Sequence, residues 1–515
     1  MFVLCCLKDT SAQWPHQNVI LFIWLLIFPV AQPWGIQPDA TRRQVFAHLP
    51  GDIIFGGLFP VHSSDLSRCD IINPERGIQR VEAMLFTLDE INNRSDILPG
   101  LNLGAIIRDT CSQSNHALEQ SLEFVKSGRP VCELALTSER NPLLVKKQID
   151  NVSLTRGHES SENQNPVRGV IGASYSTISI LVANLFALFQ LPQISYASTS
   201  AVLSDKRTFP LFARTVPSDV MQARAMAALV QKFNWTYVST VRSAGDYGDS
   251  GMDAFWKEAD KLGICIAARE VIRLSMNSSE LDQLVRVLYD DFRKARVVVL
   301  FTRMDHTKHL LDAVNRAKLT NYFVWIASDG WGRENAPVAN NSAVANGALT
   351  IEISAAELKH FSEYYRNLRA NNVRNPWFRQ YWEQVFNCTF GDSENFTKSN
   401  KFKLIHRRFN NESQGENSIN QTIYDSLSAG KPLCGQNSHQ RLEAGLDSFK
   451  QEAKVQFIGH AIYAFAHTLH KLQMELCKNP YNLTGKSKKE CIASLKNFPG
   501  AEFYAKTIKN TFIGE

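Results

Sequence analysis

From Asp52 onward, short apolar runs alternate with longer stretches whose apolar residues recur every three or four positions. The runs at 52–59, 101–108, 168–172, 193–197, 236–241, 263–268, 295–302, 322–327 and 348–353 predict strands. The periodic stretches at 77–92, 115–126, 176–190, 219–233, 249–262, 306–318, 355–370 and 455–475 predict helices. Repeated strand–helix units imply parallel sheets with helices on both faces, an α/β fold. The length favours two lobes over one very large sheet. The segment 390–450 is polar and aperiodic and reads as a long loop, and 131–167 reads as a polar insert. In helix 176–190, Ile178, Leu181, Val182, Leu185, Phe186, Leu188 and Phe189 cover more than half the circumference, so the helix is either sandwiched or at an interface.

The stretch Arg168–Asp205 organises the rest. A short strand ends at Val170-Ile171, Gly172-Ala173-Ser174 make a turn, and a helix opens at Tyr175-Ser176. The next strand, Gln193–Tyr196, ends in Ala197-Ser198-Thr199-Ser200. A parallel pair joined by a helix puts both strand C-termini on one edge, where open α/β sheets bind ligands. Hydroxyls and a helix N-terminus at that edge suit an anion, a carboxylate as well as a phosphate. Caps and turns alone would use the same residues.

Composition narrows the class. The chain has 515 residues, 44% hydrophobic and 21% charged, and its net charge of +6 is dispersed, which gives no argument for nucleic acid. Val19–Val30 is apolar but short for a span and is followed by small residues, so residues 1–35 read as a signal peptide. An exported chain keeps Cys69, Cys111, Cys132, Cys265, Cys388, Cys434, Cys477 and Cys491. Without CxxC spacing or close histidines they predict disulfides rather than zinc, and no metal or cofactor is expected. Sequons at Asn93, Asn395 and Asn482 fit an exported surface. There is no GxSxG, HExxH or Walker loop and no convincing acid/base pair of carboxylates, so an enzyme is not expected.

Ser176 and Thr199 offer donors for a carboxylate. Asp219, Asp329 and the carbonyl of Ala197 are candidate acceptors for a cation such as an ammonium, and Tyr247 could lay its ring over it. Asp219 and Asp329 equally suit a cap and a turn, and Tyr247 an ordinary loop. Arg76 and Arg80, four apart on one helix face, repel each other unless an anion lies between them or both are solvated.

Ser176 and the YAST motif at 196–199 resemble the extracellular ligand-binding domain of metabotropic glutamate receptors, which are class C G-protein-coupled receptors. The resemblance runs in order from about Gly51 to Gly514, through GDIIFGGLFPVH (51–62), RGIQRVEAM (76–84), PQISYASTS (192–200), NWTYVSTV (234–241), SDGWG (328–332), RNPWF (374–378) and AIYAFAH (461–467). It implies a bilobed clamshell, like type I periplasmic binding proteins, with two doubly wound, mostly parallel sheets and ligand between the lobes. Lobe 1 would take 45–200 and 345–475, lobe 2 201–344 and 476–515. It implies the disulfides Cys69–Cys111, Cys388–Cys434 and Cys477–Cys491, an inter-subunit Cys132, and a Cys265 that reaches a downstream cysteine-rich domain.

The resemblance also implies site roles. Ala197, Thr199 (with Ser198 in the same turn), Asp219, Tyr247 and Asp329 match the positions that hold the amino acid. Arg76, Arg80 and Lys454 match those that bind the side-chain carboxylate of glutamate, and Ser174, Tyr175 and Arg303 look closest to the second, presynaptic inhibitory group. Three cations facing an apolar ligand would stay unpaired, which argues against a sensor of apolar amino acids; the expected partner is L-glutamate, as the resemblance implies. Leu118, Leu122, Leu185, Leu188 and Phe189 would join Cys132 in a homodimer through lobe 1.

The chain stops at Glu515, short of the family's cysteine-rich linker and seven-helix domain, so a G protein would be engaged only through the missing membrane domain. The expectation is a glutamate-recognising ectodomain at the extracellular face of the plasma membrane, whose lobes close on ligand. The alternative is a secreted, truncated, non-signalling amino-acid-binding or dominant-negative form, and a third reading is a nutrient or cation sensor on the same fold.

Overall fold

The computed structural model describes residues 45–65, 68–125, 166–370, 372–390, 434 and 449–509. The expected signal peptide, Cys132, Asn395 and most of 131–167 and 390–450 lie outside the described residues. The elements below all lie in the compact unit that starts at Phe46.

The first sheet comprises β1 (Phe46–Leu49), β2 (Ile53–Phe59), β5 (Leu103–Asp109), β6 (Val167–Ile171), β7 (Gln193–Ser195) and β8 (Phe212–Arg214), with β3 (His62–Asp65) and β4 (Arg68–Ile72) forming a separate hairpin. Its order is β1-β5-β2-β6-β7-β8, parallel throughout except for β1 against β5. The second sheet, β10-β9-β11-β12-β13, is wholly parallel and uses β9 (Tyr237–Ser243), β10 (Cys265–Ile272), β11 (Val297–Phe301), β12 (Val324–Ala327) and β13 (Leu349–Thr350). Central strands of such sheets are covered on both faces and read as continuous apolar runs. β2 (IIFGGLF) and β11 (VVVLF) are central and buried at every position.

The helices are α1 (Arg80–Asn92), α2 (Ser114–Val125), α3 (Ser176–Leu188), α4 (Asp219–Lys232), α5 (Asp246–Lys261), α6 (Ser278–Arg286), α7 (Met304–Arg316), α8 (Lys359–Arg366), α9 (Phe378–Phe386), α10 (Val455–Leu476), α11 (Gly485–Asn497) and α12 (Gly500–Lys509), besides shorter turns. Gly56 and Gly57 let two of them onto opposite faces of β2. A Cβ on Gly56 would lie 3.1 Å from the ring of Phe124 on α2, and one on Gly57 2.8 Å from Met84 Sδ on α1.

The expected α/β fold with two mostly parallel, doubly wound sheets is borne out. Several predicted elements shift. The helix at 77–92 begins as a π-helical turn at Pro74–Gln79 before α1, and 355–370 contracts to α8 with an extended approach. Strand 348–353 shrinks to β13, and β1, β3, β4, β8, α6, α9, α11 and α12 carry no prediction from the pattern.

The tail is a correction. Residues 476–509 stay with the first sheet instead of joining the second lobe. Leu495 and Phe503 are fully buried in the core that contains α10, Phe503 stacks on Phe465 at 5.5 Å, and Tyr504 donates to Phe212 O at 2.6 Å. β8 likewise belongs to the first sheet and β13 to the second, so the crossings fall after Arg214 and after Thr350. The disulfides Cys69–Cys111, Cys388–Cys434 and Cys477–Cys491 are formed, the last tying α11 to the end of α10, and Cys265 is an exposed free thiol.

Phe465 joins the parts of this core, stacking on Phe55 of β2 at 5.3 Å and on Phe503 of α12. Phe465→Ala is expected to cost about 3–5 kcal/mol, read as a lower urea midpoint, whereas Val373→Ala, 90% exposed, leaves the midpoint in place. An unchanged midpoint for Phe465→Ala would contradict this packing.

Candidate ligand-binding cleft

Both sheets point the C-terminal ends of their strands at one space. Ser112 follows β5, Ser174 follows β6, Ala197 and Thr199 follow β7, and Ala244, Leu274, Arg303, Asp329 and Glu352 follow the strands of the second sheet. Together with Arg76, Arg80, Glu452 and Lys454 they line a cavity of about 510 Å³. Strand C-termini are where open α/β sheets leave backbone groups and loops free for ligands.

The first-lobe wall is built around the start of α3. Tyr175 is the extended N-cap and Ser176 opens the helix, so free N–H groups and the positive end of the helix face the cavity. Ser176 Oγ accepts from the Ser200 amide at 3.2 Å, which holds the 197–200 turn against the helix. Beneath it, Ser195 Oγ donates to Ala173 O at 2.7 Å and accepts from the Ser198 amide at 2.9 Å. Ser198 is fully buried and donates to Ser179 Oγ at 2.8 Å; it braces this turn and does not line the cavity. Ala197 and Thr199 do line it.

The second-lobe wall carries the acidic and phenolic groups. Tyr247, in the first turn of α5, donates to Asp329 Oδ1 at 3.0 Å and accepts from the Gly330 amide at 3.1 Å. Burial and the Asp329 and Asp219 charges push its phenol up, so it remains a donor. Asp329 is buried, which opposes ionisation. The nearby Lys454 ammonium and bonds from Gln222 and Tyr247 outweigh that and hold the carboxyl below its ordinary value. Asp219 is not on the cavity wall. It lies fully buried behind Thr199, its amide donating to Thr199 O at 2.8 Å, and burial together with the Asp329 charge pushes its carboxyl well up. Arg303 sits over the Tyr175 ring at 4.6 Å across the cleft and is paired with Asp305 at 2.8 Å.

The basic residues converge as a group. Asn73 Oδ1 accepts from the Arg76 amide at 3.0 Å and starts the π-helical turn. Gly77 lets that turn press on the β2–β3 connection, since a Cβ there would lie 2.7 Å from Val61 O. Arg76 and Arg80 are thereby buried at the cavity wall, 9% and 2% exposed, and Lys454 reaches it from the residue before α10.

None of the three waits unpaired for a ligand, which corrects the sequence argument. Arg80 makes a bidentate bond to Glu452 at 2.7 and 3.0 Å and donates to Ser174 Oγ at 2.7 Å. Lys454 Nζ lies 3.2 Å from Asp329 Oδ2 and 3.1 Å from Glu352 Oε1. Arg76 Nε donates to Glu334 Oε1 at 2.7 Å. Burial alone would lower the pKa of Arg76, Arg80 and Lys454, yet these carboxylates raise all three. The wall thus carries four cations (Arg76, Arg80, Arg303, Lys454) and four carboxylates (Asp329, Glu334, Glu352, Glu452), so an anionic ligand must exchange with an internal partner.

Sequence reasoning missed Glu334, Glu352, Glu452 and Gln222. Only Glu452 had a signal, standing two residues before Lys454; the others look like solvated polar residues along the chain. Elsewhere, Leu122 on α2 and Leu188 on α3 are exposed by 42% and 66%, with Leu118, Leu185 and Phe189 half-buried beside them. His62, Cys69 and Asp109 cluster tightly, but the Cys69 sulfur is committed to Cys111.

His306 gives the cleft a pH signature. It is buried at the cavity wall, its Nδ1 2.8 Å from Ser243 Oγ and its Nε2 without a partner. Burial depresses its pKa from 6.5 to about 4, opposed by Asp305 and assisted by Arg303 and His309. Between these values the unfolded chain binds the proton and the folded chain does not, so stability is present above 6.5 and lost as pH falls towards 4. That loss is on the order of 3 kcal/mol. His306→Gln is expected to flatten the acid-side fall of the urea midpoint across this window; an unaltered profile would contradict it.

Residues 79–513 match the family described as receptor family ligand binding region. The chain is 35% identical over 522 residues to a protein named "Metabotropic glutamate receptor" from Drosophila melanogaster, spanning 96% of this chain and 49% of that protein. It is 39% identical over 448 residues to "Metabotropic glutamate receptor 4" of Macaca fascicularis, with 86% and 43% of the two chains covered. It is 38% identical over 463 residues to the protein of that name from Rattus norvegicus, covering 88% and 45%. The chain therefore spans about half the length of these relatives or less, and among its described residues no helix is long and apolar enough to cross a membrane. The chain belongs to the receptor family ligand binding region, and within it is a ligand-binding region of the metabotropic glutamate receptor type.

Proposed function

We propose that the cleft recognises an α-amino acid with a distal carboxylate, L-glutamate, as the extracellular ligand of a receptor, and that binding closes the lobes. The observation that carries this is the facing of unlike sub-sites across one cavity. The α3 N-terminus with Ser176 and Thr199 suits an α-carboxylate, and Asp329 with Tyr247 opposite suits an ammonium. Lys454 connects the two ends of the ligand. The incoming ammonium takes its place at Asp329, and Lys454 turns to the distal carboxylate, so each charge leaves one partner for another.

Arg80 is a poor test of this scheme, because removing it strands the buried Glu452. Thr199→Ala removes no charge, although the Thr199 hydroxyl also bonds the buried Asp219 carboxyl, so its urea midpoint is measured alongside. It is expected to weaken L-glutamate and L-glutamine alike by about 10–150-fold, the worth of a hydrogen bond to a charged group, in titration calorimetry on the secreted ectodomain. Unchanged affinity in a well-folded variant would refute the α-carboxylate sub-site.

The apolar face around Leu122 and Leu188 supports a second proposal, pairing with another copy through the first lobe. Leu188→Asp is expected to shift the light-scattering mass of the ectodomain under reducing conditions from dimer to monomer. A dimer that persists would exclude this face.

A further inference from the structure

Glu334 is the acidic residue whose position matters most for what the cleft prefers. It follows the Ser328–Gly332 turn at the end of β12 and belongs to the second lobe, whereas Arg76 belongs to the first. Arg76 Nε donates to Glu334 Oε1 at 2.7 Å and Nη2 donates to Gly330 O at 3.1 Å. The loop 330–334 therefore fills one whole edge of the guanidinium, the kind of edge that grips a carboxylate with two parallel bonds. Both side chains of the Arg76–Glu334 pair are 11% exposed, so the bridge is shielded from water.

Glu75 adds to it. A hydrogen bond to Glu334 and burial push the Glu75 carboxyl up, so Glu75 favours its protonated form and donates a hydrogen bond to the Glu334 carboxylate. The Arg80–Glu452 pair differs in kind. Glu452 precedes α10 in the first lobe, accepts from the Lys454 amide at 2.9 Å and donates its own amide to Gln79 Oε1 at 2.9 Å. That carboxylate is fixed within the lobe that holds its arginine. Glu334 is held by groups of the opposite lobe, and an opening of the cleft releases it.

We propose that Glu334 is a tethered rival of the ligand: a carboxylate carried by the second lobe that occupies Arg76 and must be displaced by an anionic ligand side chain. The inference rests on the amino-acid reading of the cleft and adds its selectivity. A neutral amino acid leaves the Arg76–Glu334 bridge in place. An acidic one gains Arg76 only by returning Glu334 to water, so Glu334 sets the preference for acidic over neutral ligands downward. In the ligand-free chain, whose lobes open and close, the same bridge acts as a latch that favours the closed arrangement, and a ligand completes the closure.

The test is Glu334→Gln and Glu334→Ala in the secreted ectodomain, with two readouts. Titration with L-glutamate, L-glutamine and L-serine is expected to show the affinity for L-glutamate rising relative to both neutral ligands by about tenfold or more. Ligand-free spin-label distances between Cys265 on the second lobe and Val373→Cys on the first are expected to lengthen in both variants. Equal changes for all three ligands, or a preference that moves towards the neutral ones, would overturn the rivalry. Ligand-free distances that do not move would overturn the latch. Should no amino acid bind either wild type or variants, the amino-acid reading fails, and the distances alone then decide whether Glu334 holds the lobes.

Discussion

Lys454 can be buried in the cleft because Asp329 and Glu352, both following strands of the second sheet, meet its ammonium at 3.2 and 3.1 Å. Taking an ammonium out of water costs several kcal/mol, and only well-placed counter-charges offset it. Lys454 is 5% exposed and lies in the first lobe, directly before α10, so its compensation exists only when the lobes face each other closely. Arg76 and Glu334 repeat the arrangement. The charges that join the two lobes are therefore the same set that the proposed ligand would contact.

The rest of the cleft brings these charges together. Parallel sheets bring every relevant loop to one edge, and the two edges are turned towards each other. On the first lobe, Ser195, Ser198 and Ser179 form a fully buried hydroxyl network, and Ser176 Oγ at the cavity wall accepts from the Ser200 amide; together they fix the 197–200 turn to the start of α3. Satisfied networks of this kind rigidify. On the second lobe, Gln222 bonds both the amide and the carboxylate of Asp329, while Tyr247 bonds that carboxylate and the Gly330 amide. In the proposed function, a rigid half-site on each lobe would leave lobe approach as the main adjustment to a ligand, which is economical in ordering entropy.

How much of this the sequence disclosed depends on whether a feature is local. β2 and β11 were legible because central parallel strands must be apolar throughout, and α3 and α10 because their apolar period is long. The hairpin β3–β4 and the edge strands β1 and β8 are short and mixed, so no period marks them. The tail was misplaced because α11 and α12 owe their position to Leu495 and Phe503 meeting α10, a contact that no spacing encodes. Arg76, Arg80 and Lys454 were visible as motif residues, but their partners were not. Glu334 is separated from Arg76 by 258 residues, and a lone glutamate in a polar loop looks like any solvated carboxylate. Asp219 and Ser198 were chosen for their motif positions, and both turn out to lie behind the wall: Ser198 turns inward onto Ser179, and Asp219, the first residue of α4, is held behind Thr199 by the bond from its amide to Thr199 O.

A co-crystal structure of this ligand-binding region with L-glutamate would show whether the ionic partners exchange, since each exchange has a definite geometry. The α-carboxylate is expected at the start of α3 near Ser176 and Thr199, the ammonium at Asp329 and Tyr247, and the distal carboxylate on Arg76 and Lys454, with Glu334 turned out of its bridge. Glutamate bound while the Arg76–Glu334 and Lys454–Asp329 pairs remain intact would contradict the exchange.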